Sequence, residues 1–136
     1  MTYAKPLPTP SQDSQPYWDA CRQHALALQQ CDACGAFRFP PSPLCPECWG
    51  RASTWRTLSG RGRVYSFVTY RRLYHPGFAD DLPYVVAVIA LDEGPRLISN
   101  VIDCRPEDVR CDMPVEVVFR DATDRIALPL FRPAKP

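Results

Sequence analysis

The segment CDACGAFRFPPSPLCPEC, residues 31–48, contains four of the seven cysteines of this 136-residue chain. Two CxxC pairs, Cys31 with Cys34 and Cys45 with Cys48, are separated by ten residues. Each pair places two thiolates on one tight turn, and four sulfur atoms at about 2.3 Å complete the tetrahedral shell of a zinc ion. The spacing therefore predicts one metal site with these four cysteines as ligands.

Four cysteine ligands also indicate what kind of site this is. A catalytic zinc normally keeps an open position and includes His or carboxylate ligands, whereas four thiolates fill the shell. A thioredoxin-type redox pair requires a CxxC at the start of a helix in a βαβ unit, which the sequence does not predict. We therefore expect one structural zinc per chain. Iron bound by the same four sulfurs remains an alternative.

The other candidate reactive groups lack a catalytic pattern. Cys21, Cys104 and Cys111 have no partner at metal-site spacing, and isolated cysteines usually behave as small buried hydrophobic residues. His24 and His75 are the only histidines, and neither belongs to a recognisable triad or general-base arrangement. We therefore predict no catalytic residue, and we expect that the chain is not an enzyme by itself.

Charge and hydropathy restrict the partners. The net charge is +1, with 16 basic and 15 acidic residues, and only Lys5 and Lys135 are lysines. Binding to nucleic-acid phosphates needs a concentrated positive face, so we expect no nucleic-acid partner. The sequence has neither an apolar run of bilayer length nor an apolar signal core, so we expect no membrane contact and a cytoplasmic location. The metal-type cysteine spacing agrees with a reducing compartment.

The N-terminal region is predicted to form an arm and a short helix. Residues 1–13 contain three prolines among small polar residues, which favours an extended, poorly ordered arm. Ser14 is a candidate N-cap for a helix over residues 15–24. Tyr17 and Trp18 lie on its apolar face, which either packs on the chain's own core or docks onto a partner.

The remaining sequence is typical of short strands. Three strands are predicted around the cysteines, at residues 26–31, 37–39 and 55–58, and five more follow at residues 64–73, 84–91, 96–102, 115–120 and 126–131. Five strands without a second helix favour a small closed barrel, so the chain is predicted to be mainly β. We place the helix and metal module at residues 14–58 and the barrel at residues 59–136.

Two segments of the barrel suggest contacts beyond its own core. Residues 85–91 are almost continuously apolar, which predicts a strand covered on its outer face by the cysteine module, the helix or another subunit. The loop of residues 74–83 is long for a hairpin, and is either a flexible connection or a functional segment. Its His75 and Phe78 join Tyr17 and Trp18 as predicted partner-interface residues.

Several motifs together resemble a known family. They are the cysteine pairs, LALQQC (26–31), SGRGRVYSF (59–67), PYVVAVIALDEGPRLISN (83–100), MPVEVVFRD (113–121) and LPLFRP (128–133). In this order they resemble a rubredoxin-like zinc ribbon fused to a five-stranded OB-fold barrel, the acyl-CoA-associated family known as domain of unknown function thirty-five. The resemblance extends from about Ser14 to Pro133. One departure is Asp112, where the family is expected to have glycine; Asp tolerates left-handed backbone better than most residues.

The resemblance implies a function that composition could not show. Members of this family are accessory, non-catalytic subunits of thiolases, sterol-carrier-protein-x-like thiolases or aldolases that act on acyl-CoA in the degradation of steroid side chains, aromatic acids or similar compounds. It implies a thiolase-like or aldolase partner in a heterotetramer, with acyl-CoA at the subunit interface. An alternative is a stand-alone acyl-CoA-binding module, with CoA phosphate contacts from Arg61, Arg63, Arg71 and Arg72. A single-stranded nucleic-acid-binding OB-fold is a third, less favoured interpretation.

Overall fold

The N-terminal half forms a helix and a small antiparallel sheet in the computed structural model, which describes residues 3–135. Helix α1 is Gln15–Arg22, and the strands are β1 (Ala27–Cys31), β2 (Phe37–Arg38) and β3 (Ser53–Thr57), in the order β2-β1-β3. The helix ends two residues earlier than predicted, because His24 adopts a positive φ of 58°. Ser14 occupies the N-cap position without a side-chain cap hydrogen bond, since its Oγ accepts the Ser11 N–H instead.

The C-terminal half is a closed five-stranded barrel. Its strands are β4 (Arg61–Tyr70), β5 (Tyr84–Leu91), β6 (Arg96–Val101), β7 (Pro114–Asp121) and β8 (Ala127–Pro133), in the closed order β4-β5-β6-β8-β7. Two 3₁₀ turns, Pro76–Asp81 and Pro106–Asp108, lie in its connections. The prediction of a mainly β protein with one short helix and a five-stranded barrel is confirmed. Among residues 3–135, no helix has the length and apolarity that crossing a membrane would require.

One hydrophobic core joins the two halves. In β5 every second side chain from Val85 to Leu91 is buried inside the barrel, and Ile89 is fully buried. The same cluster includes Tyr17 of the helix and Leu28 of β1. The metal module is therefore packed onto the barrel, because the apolar faces of its helix and first strand are buried in a shared core.

The tight turn before β7 contains Asp112, at the position where the family is expected to have glycine. Asp112 has a φ of 67°, in the left-handed region, and its N–H donates to the carbonyl of Val64 at 2.7 Å. Asp is among the non-glycine residues that tolerate this conformation. The turn is therefore formed with Asp in the place of glycine.

The predicted arm is described from residue 3 to residue 13, and its residues 3–10 are extended and lie against the barrel. Lys5 Nζ is 2.5 Å from Asp81 Oδ2, and it also lies 5.4 Å from the ring centroid of Phe78. A Cβ built on Gly77 would come within 2.5 Å of the Ala4 carbonyl oxygen, so the two backbones are in close contact. The poor order of this arm stays a prediction; Met1 and Thr2 lie outside the described residues.

Candidate metal centre

The first cysteine pair follows directly from β1. Cys31 is the last residue of this strand, and its N–H donates to the Ala36 carbonyl at 2.8 Å. The Gly35 N–H donates back to the Cys31 carbonyl at 2.9 Å. Gly35 has a φ of 80°, which glycine adopts without a Cβ clash. The resulting turn directs the sulfur atoms of Cys31 and Cys34 to one side.

The second pair repeats this hydrogen-bond pattern. The Cys45 N–H donates to the Gly50 carbonyl at 2.9 Å, and the Trp49 N–H donates to the Cys45 carbonyl at 2.8 Å. Trp49 occupies the position that Gly35 has in the first turn, with a φ of 66° and 75% of its surface exposed. An aromatic residue in left-handed backbone is strained. The two turns are thus built alike, but only the first has the residue that suits it.

The four sulfur atoms have the spacing that tetrahedral coordination of one metal ion requires. Sγ of Cys31 is 3.5 Å from Sγ of Cys48, Sγ of Cys34 is 3.6 Å from Sγ of Cys45, and all four atoms lie within 4.8 Å of one another. A tetrahedron with Zn–S bonds of about 2.3 Å has S···S edges of about 3.8 Å. These four thiols therefore fit one zinc ion, and they leave no coordination position open.

Backbone N–H groups prepare part of this cluster for metal binding. The N–H groups of Cys34 and Ala33 hydrogen-bond to the Cys31 sulfur and lower the pKa of this thiol. Zinc binds the thiolate form, so these N–H groups favour the protonation state that the ion needs. The remaining thiol protons would be displaced when the ion binds.

Gln29 supports the site from within the small sheet, a role that no sequence pattern indicated. Its side chain is only 8% exposed, and its amide makes three hydrogen bonds. It accepts the Ser42 N–H at 2.9 Å and donates to the Ser42 carbonyl at 3.1 Å and to Ser53 Oγ at 3.2 Å. The proline-rich segment between the cysteine pairs is thereby fastened to β1.

Arg38, directly opposite Gln29 in the sheet, is a second buried polar residue that sequence reasoning missed. It is 3% exposed, and its three guanidinium nitrogens have no hydrogen-bond partner among the described residues. Buried guanidinium groups are normally paired, because removal of an unpaired charge from water is unfavourable. Alternation between two phenylalanines predicts an exposed residue at this position, so no sequence signal indicated the burial of Arg38.

The four predicted partner-interface residues lie in two separate places. Tyr17 is 4% exposed, and its ring packs at 5.0 Å from Trp18 and 5.3 Å from Phe39. This burial corrects the expectation that Tyr17 faces a partner, because the helix turns its apolar face to the chain's own core. Trp18 is half-buried, and an interface role for it stays a prediction.

The other two predicted residues lie in the 3₁₀ turn between β4 and β5. Nδ1 of His75 accepts the Gly77 N–H at 3.0 Å, which makes His75 the cap of this turn. Phe78 stacks on Tyr84 with ring centroids 5.3 Å apart, and Tyr84 lies 5.1 Å from Tyr70. These residues belong to an ordered aromatic cluster, and the loop is not an open connection.

The structure does not bring the four predicted phosphate-binding arginines together. Arg61 and Arg63 lie at the start of β4, whereas Arg71 and Arg72 follow its end. Ten residues of extended chain span about 33 Å at roughly 3.3 Å per residue. A phosphate-binding role for either pair stays a prediction, but the two pairs cannot share one phosphate group.

A cavity of about 290 Å³ lies at one end of the barrel. The arm contributes Tyr3 and Lys5 to its wall, and the barrel contributes Val101, Leu130 and Arg120. This cavity could not be predicted from the sequence, because its wall depends on the docking of the arm against the 3₁₀ turn. It is mainly apolar, and its charged lining residues include Arg120 and the ion pair of Lys5 with Asp81.

The comparisons with known proteins agree with this architecture. Residues 18–54 match the family model described as the ChsH2 rubredoxin-like zinc ribbon domain, and residues 55–120 match the ChsH2 C-terminal OB-fold domain. A solved structure described as the Ltp2-ChsH2(DUF35) aldolase contains a chain that is similar at 36% identity and a TM-score of 0.86. The similarity covers 95% of this chain and 100% of that one.

Two curated relatives are also similar in sequence. A probable enoyl-CoA hydratase alpha subunit of Thermomonospora curvata is 37% identical over 97% of this chain, which spans only 41% of that relative's length. A DUF35 domain-containing scaffold protein of Methanocaldococcus jannaschii is 39% identical over 72% of this chain and 70% of its own length. With the four-cysteine geometry, these matches confirm the predicted structural zinc site. The chain belongs to the family in which a ChsH2-type rubredoxin-like zinc ribbon is joined to an OB-fold, the DUF35 family.

Proposed function

We propose that this chain is a non-catalytic accessory subunit of an enzyme that acts on acyl-CoA thioesters. One observation carries the proposal: the chain matches, over the full length of that protein and at a TM-score of 0.86, the chain found in the structure named as an aldolase with ChsH2(DUF35). Similarity to a hydratase alpha subunit and to a scaffold protein further supports an accessory role.

The chemistry of the described residues is consistent with a reaction that takes place on another chain. The four thiols form a closed shell, so the metal offers no position for a substrate. His24 is engaged with Asp121 at 2.8 Å and stacks on Phe119, while His75 caps a turn. Both imidazoles are thus engaged in contacts that hold the fold together.

The finer proposal concerns the identity of the partner. Family resemblance favours a thiolase-like or aldolase subunit, arranged with this chain as a heterotetramer with acyl-CoA at the interface. The partner would supply the nucleophile and oxyanion hole for cleavage of a carbon–carbon bond in a steroid side chain, an aromatic acid or a similar compound. The present chain would then order the partner and shape the entrance to its active site.

Co-expression tests this proposal. The chain should be produced with the thiolase-like or aldolase subunit encoded beside its gene, and the mass of the purified complex measured by light scattering. We expect a stable complex of two copies of each chain, whose acyl-CoA cleavage is lost when this chain is omitted. A Cys45→Ser variant, which should lose the zinc and unfold the ribbon, shows whether the complex needs the metal module. A chain that stays alone and leaves the activity of the other subunit unchanged would contradict the proposal.

A stand-alone acyl-CoA-binding module is the second candidate, and one observation favours it. The cavity at the barrel end combines apolar walls with Arg120, while Lys5 in the same wall is paired with Asp81, so an anionic group of an apolar ligand would be met by Arg120. Calorimetry of the isolated chain with acetyl-CoA distinguishes this candidate from the first. Absence of any binding heat would exclude it, and would leave the accessory role unaffected.

A further inference from the structure

The outer surface of three barrel strands is apolar. In the register of β4 and β5, Val68 lies opposite Val86, and in that of β5 and β6, Val88 lies opposite Ile98. These four side chains, here called the outer face, lie outside the barrel core; Ile98 is 71% exposed, Val68 is 53% exposed, and the two β5 valines are half-buried. Exposed apolar patches on a folded domain mark interaction sites.

Aromatic residues extend the outer face at both ends. Tyr70 and Tyr84 are cross-strand neighbours beyond Val68 and Val86, and Tyr74 lies 5.9 Å from Tyr70. At the opposite end the guanidinium carbon of Arg96 lies 3.8 Å from the centroid of the exposed Tyr65 ring. Tyr and Arg are enriched among the residues that dominate protein interfaces. The composition of this surface is therefore that of an interface centre.

The chain itself does not cover this face. The apolar sequence of β5 predicts a cover from the cysteine module, the helix or another subunit. Helix α1 packs chiefly against β1 and β8, and the exposure of Val68 and Ile98 shows that no other described residue lies over them. Because neither the cysteine module nor the helix covers the outer face, another subunit is the predicted cover that is left.

Charge distinguishes a different subunit from a second copy of this chain. Strands β4, β5 and β6 contain no Asp or Glu, while Arg71, Arg72 and Arg96 border the face. Of the acidic residues in the flanking turns, Asp81 is paired with Lys5, Glu93 accepts the Ser59 N–H, and Asp80 and Asp92 are exposed. None of these three arginines forms a salt bridge with an acidic residue in the described part of the chain. A twofold contact between two copies would bring these like charges together. A surface bordered by carboxylates is complementary to them.

We propose that the outer face is the docking surface for the enzymatic subunit of the complex, which contacts it through an apolar patch bordered by Asp or Glu side chains. This inference rests on the proposed accessory function and adds the place of contact and the chemistry of the partner surface. The neighbouring aromatic cluster, which includes the predicted interface residues His75 and Phe78, forms one edge of this surface.

The test measures the dissociation constant between this chain and the co-expressed enzymatic subunit. The variant V68E/I98E places two carboxylates in the outer face and should weaken binding by about 30-fold or more, as expected for the centre of an interface. Trp49→Glu, which introduces one such carboxylate at a similarly exposed apolar residue of the zinc module, should change binding by less than about twofold. Retention of one zinc per chain and an unchanged unfolding temperature verify that each variant is folded.

A second measurement addresses the bordering charges. The variant R71E/R72E should slow association at low ionic strength, and the difference from the wild type should shrink as salt is added, because exposed charges act over about a Debye length. An association rate that is unchanged, or increased, at low ionic strength would contradict the predicted acidic border on the partner.

The outcomes separate this inference from the proposed function. If the wild-type chain binds no acyl-CoA enzyme subunit, both fail. If it binds and V68E/I98E binds equally well, or if Trp49→Glu abolishes binding instead, the docking surface is wrong and the accessory role stands. If the isolated chain forms a dimer that V68E/I98E dissociates, the face belongs to a second copy, and the inference is again overturned.

Discussion

The side-chain amide of Gln29 forms two hydrogen bonds with the backbone of a single residue, Ser42, thirteen positions further along the chain. Its Oε1 accepts the Ser42 N–H at 2.9 Å, and its Nε2 donates to the Ser42 carbonyl at 3.1 Å. Because Gln29 lies in the strand that ends at Cys31, this contact couples the proline-rich segment to the metal site. It takes the place of a longer β ladder, since β2 contains only two residues.

Gln29→Leu should therefore destabilise the zinc module. The substitution leaves the N–H and carbonyl of the half-buried Ser42 without their partner, and an unsatisfied backbone group costs about 1 to 3 kcal/mol where it is buried. We expect a loss of about 2 to 4 kcal/mol in the free energy of unfolding, together with weaker zinc binding in a chelator competition. Gln12→Leu, at an exposed position before the helix, is the control and should have no effect on either measurement.

Removal of the metal should unfold the zinc module before the barrel. The sheet of β1, β2 and β3 is small, whereas the barrel contains its own buried side chains such as Ile89 and Phe131. In zinc-finger peptides the ion contributes on the order of 10 kcal/mol. Hydrogen exchange of Cys45→Ser should show fast amides in β1 and slow amides in β5. Cys111→Ser should retain one zinc per chain. Equal loss of protection in both strands would contradict this independence of the barrel.

Gly35→Ala and Trp49→Gly, at equivalent positions of the two cysteine turns, should have opposite effects on stability. Gly35→Ala should lower stability by about 1 kcal/mol, because left-handed backbone is unfavourable for a residue with a Cβ. Nothing lies within 4 Å of a Cβ built there, so the loss would report the backbone alone. Trp49→Gly should raise the unfolding temperature slightly, since relief of strain is partly offset by the greater freedom of glycine in the unfolded chain. Equal effects of the two changes on the unfolding temperature would contradict this explanation.

Stability should fall in alkaline solution because of Cys21. Its thiol is fully buried, and burial raises its pKa to about 12 from an ordinary value of about 9. Because the pKa is higher in the folded state, the stability linked to the protonated thiol is fully present below about pH 9. This stability is lost as the pH rises toward 12. Cys21→Ala should flatten the pH dependence between pH 9 and 10, where one such group contributes at most about 1.4 kcal/mol per pH unit. Cys111→Ala, at an exposed site, should leave the slope unchanged.

Replacement of Arg38 tests whether its guanidinium has a partner. Arg38→Met keeps much of the apolar side chain and removes a buried charge that no described group pairs, so we expect the free energy of unfolding to rise by about 1 kcal/mol or more. Thermal unfolding in the presence of saturating zinc measures this change. A clear loss of stability would mean that Arg38 is bound to an anion or to another chain.

Local features were the ones that the sequence predicted well. The CxxC spacing placed all four ligands, because two thiolates on one tight turn need only a few adjacent residues. Strand β5 was located at residues 84–91 from its apolar run and flanking turns, in agreement with the structure. Asp112 adopts the left-handed backbone that the family pattern demands at its position.

Features that depend on distant contacts were predicted poorly. The same amphipathic pattern allowed Tyr17 to face a partner or the core, and only its packing against Phe39 decided for the core. Arg61 and Arg63 lie within about ten residues of Arg71 and Arg72 in the sequence, but the extended strand β4 separates the two pairs in space. The cavity exists because the arm contacts the turn at Gly77, and neither segment alone indicates it.

By itself, the sequence determined the metal ligands, the approximate strands and the family, since each of these depends on residue types at short spacing. Only the tertiary structure decided which apolar residues are buried and which form a surface. Val68 and Ile98 resemble core residues in the sequence, yet they point away from the barrel, because alternate residues of a strand face opposite sides of a sheet. The closure of the five strands determines which of these sides lies inside.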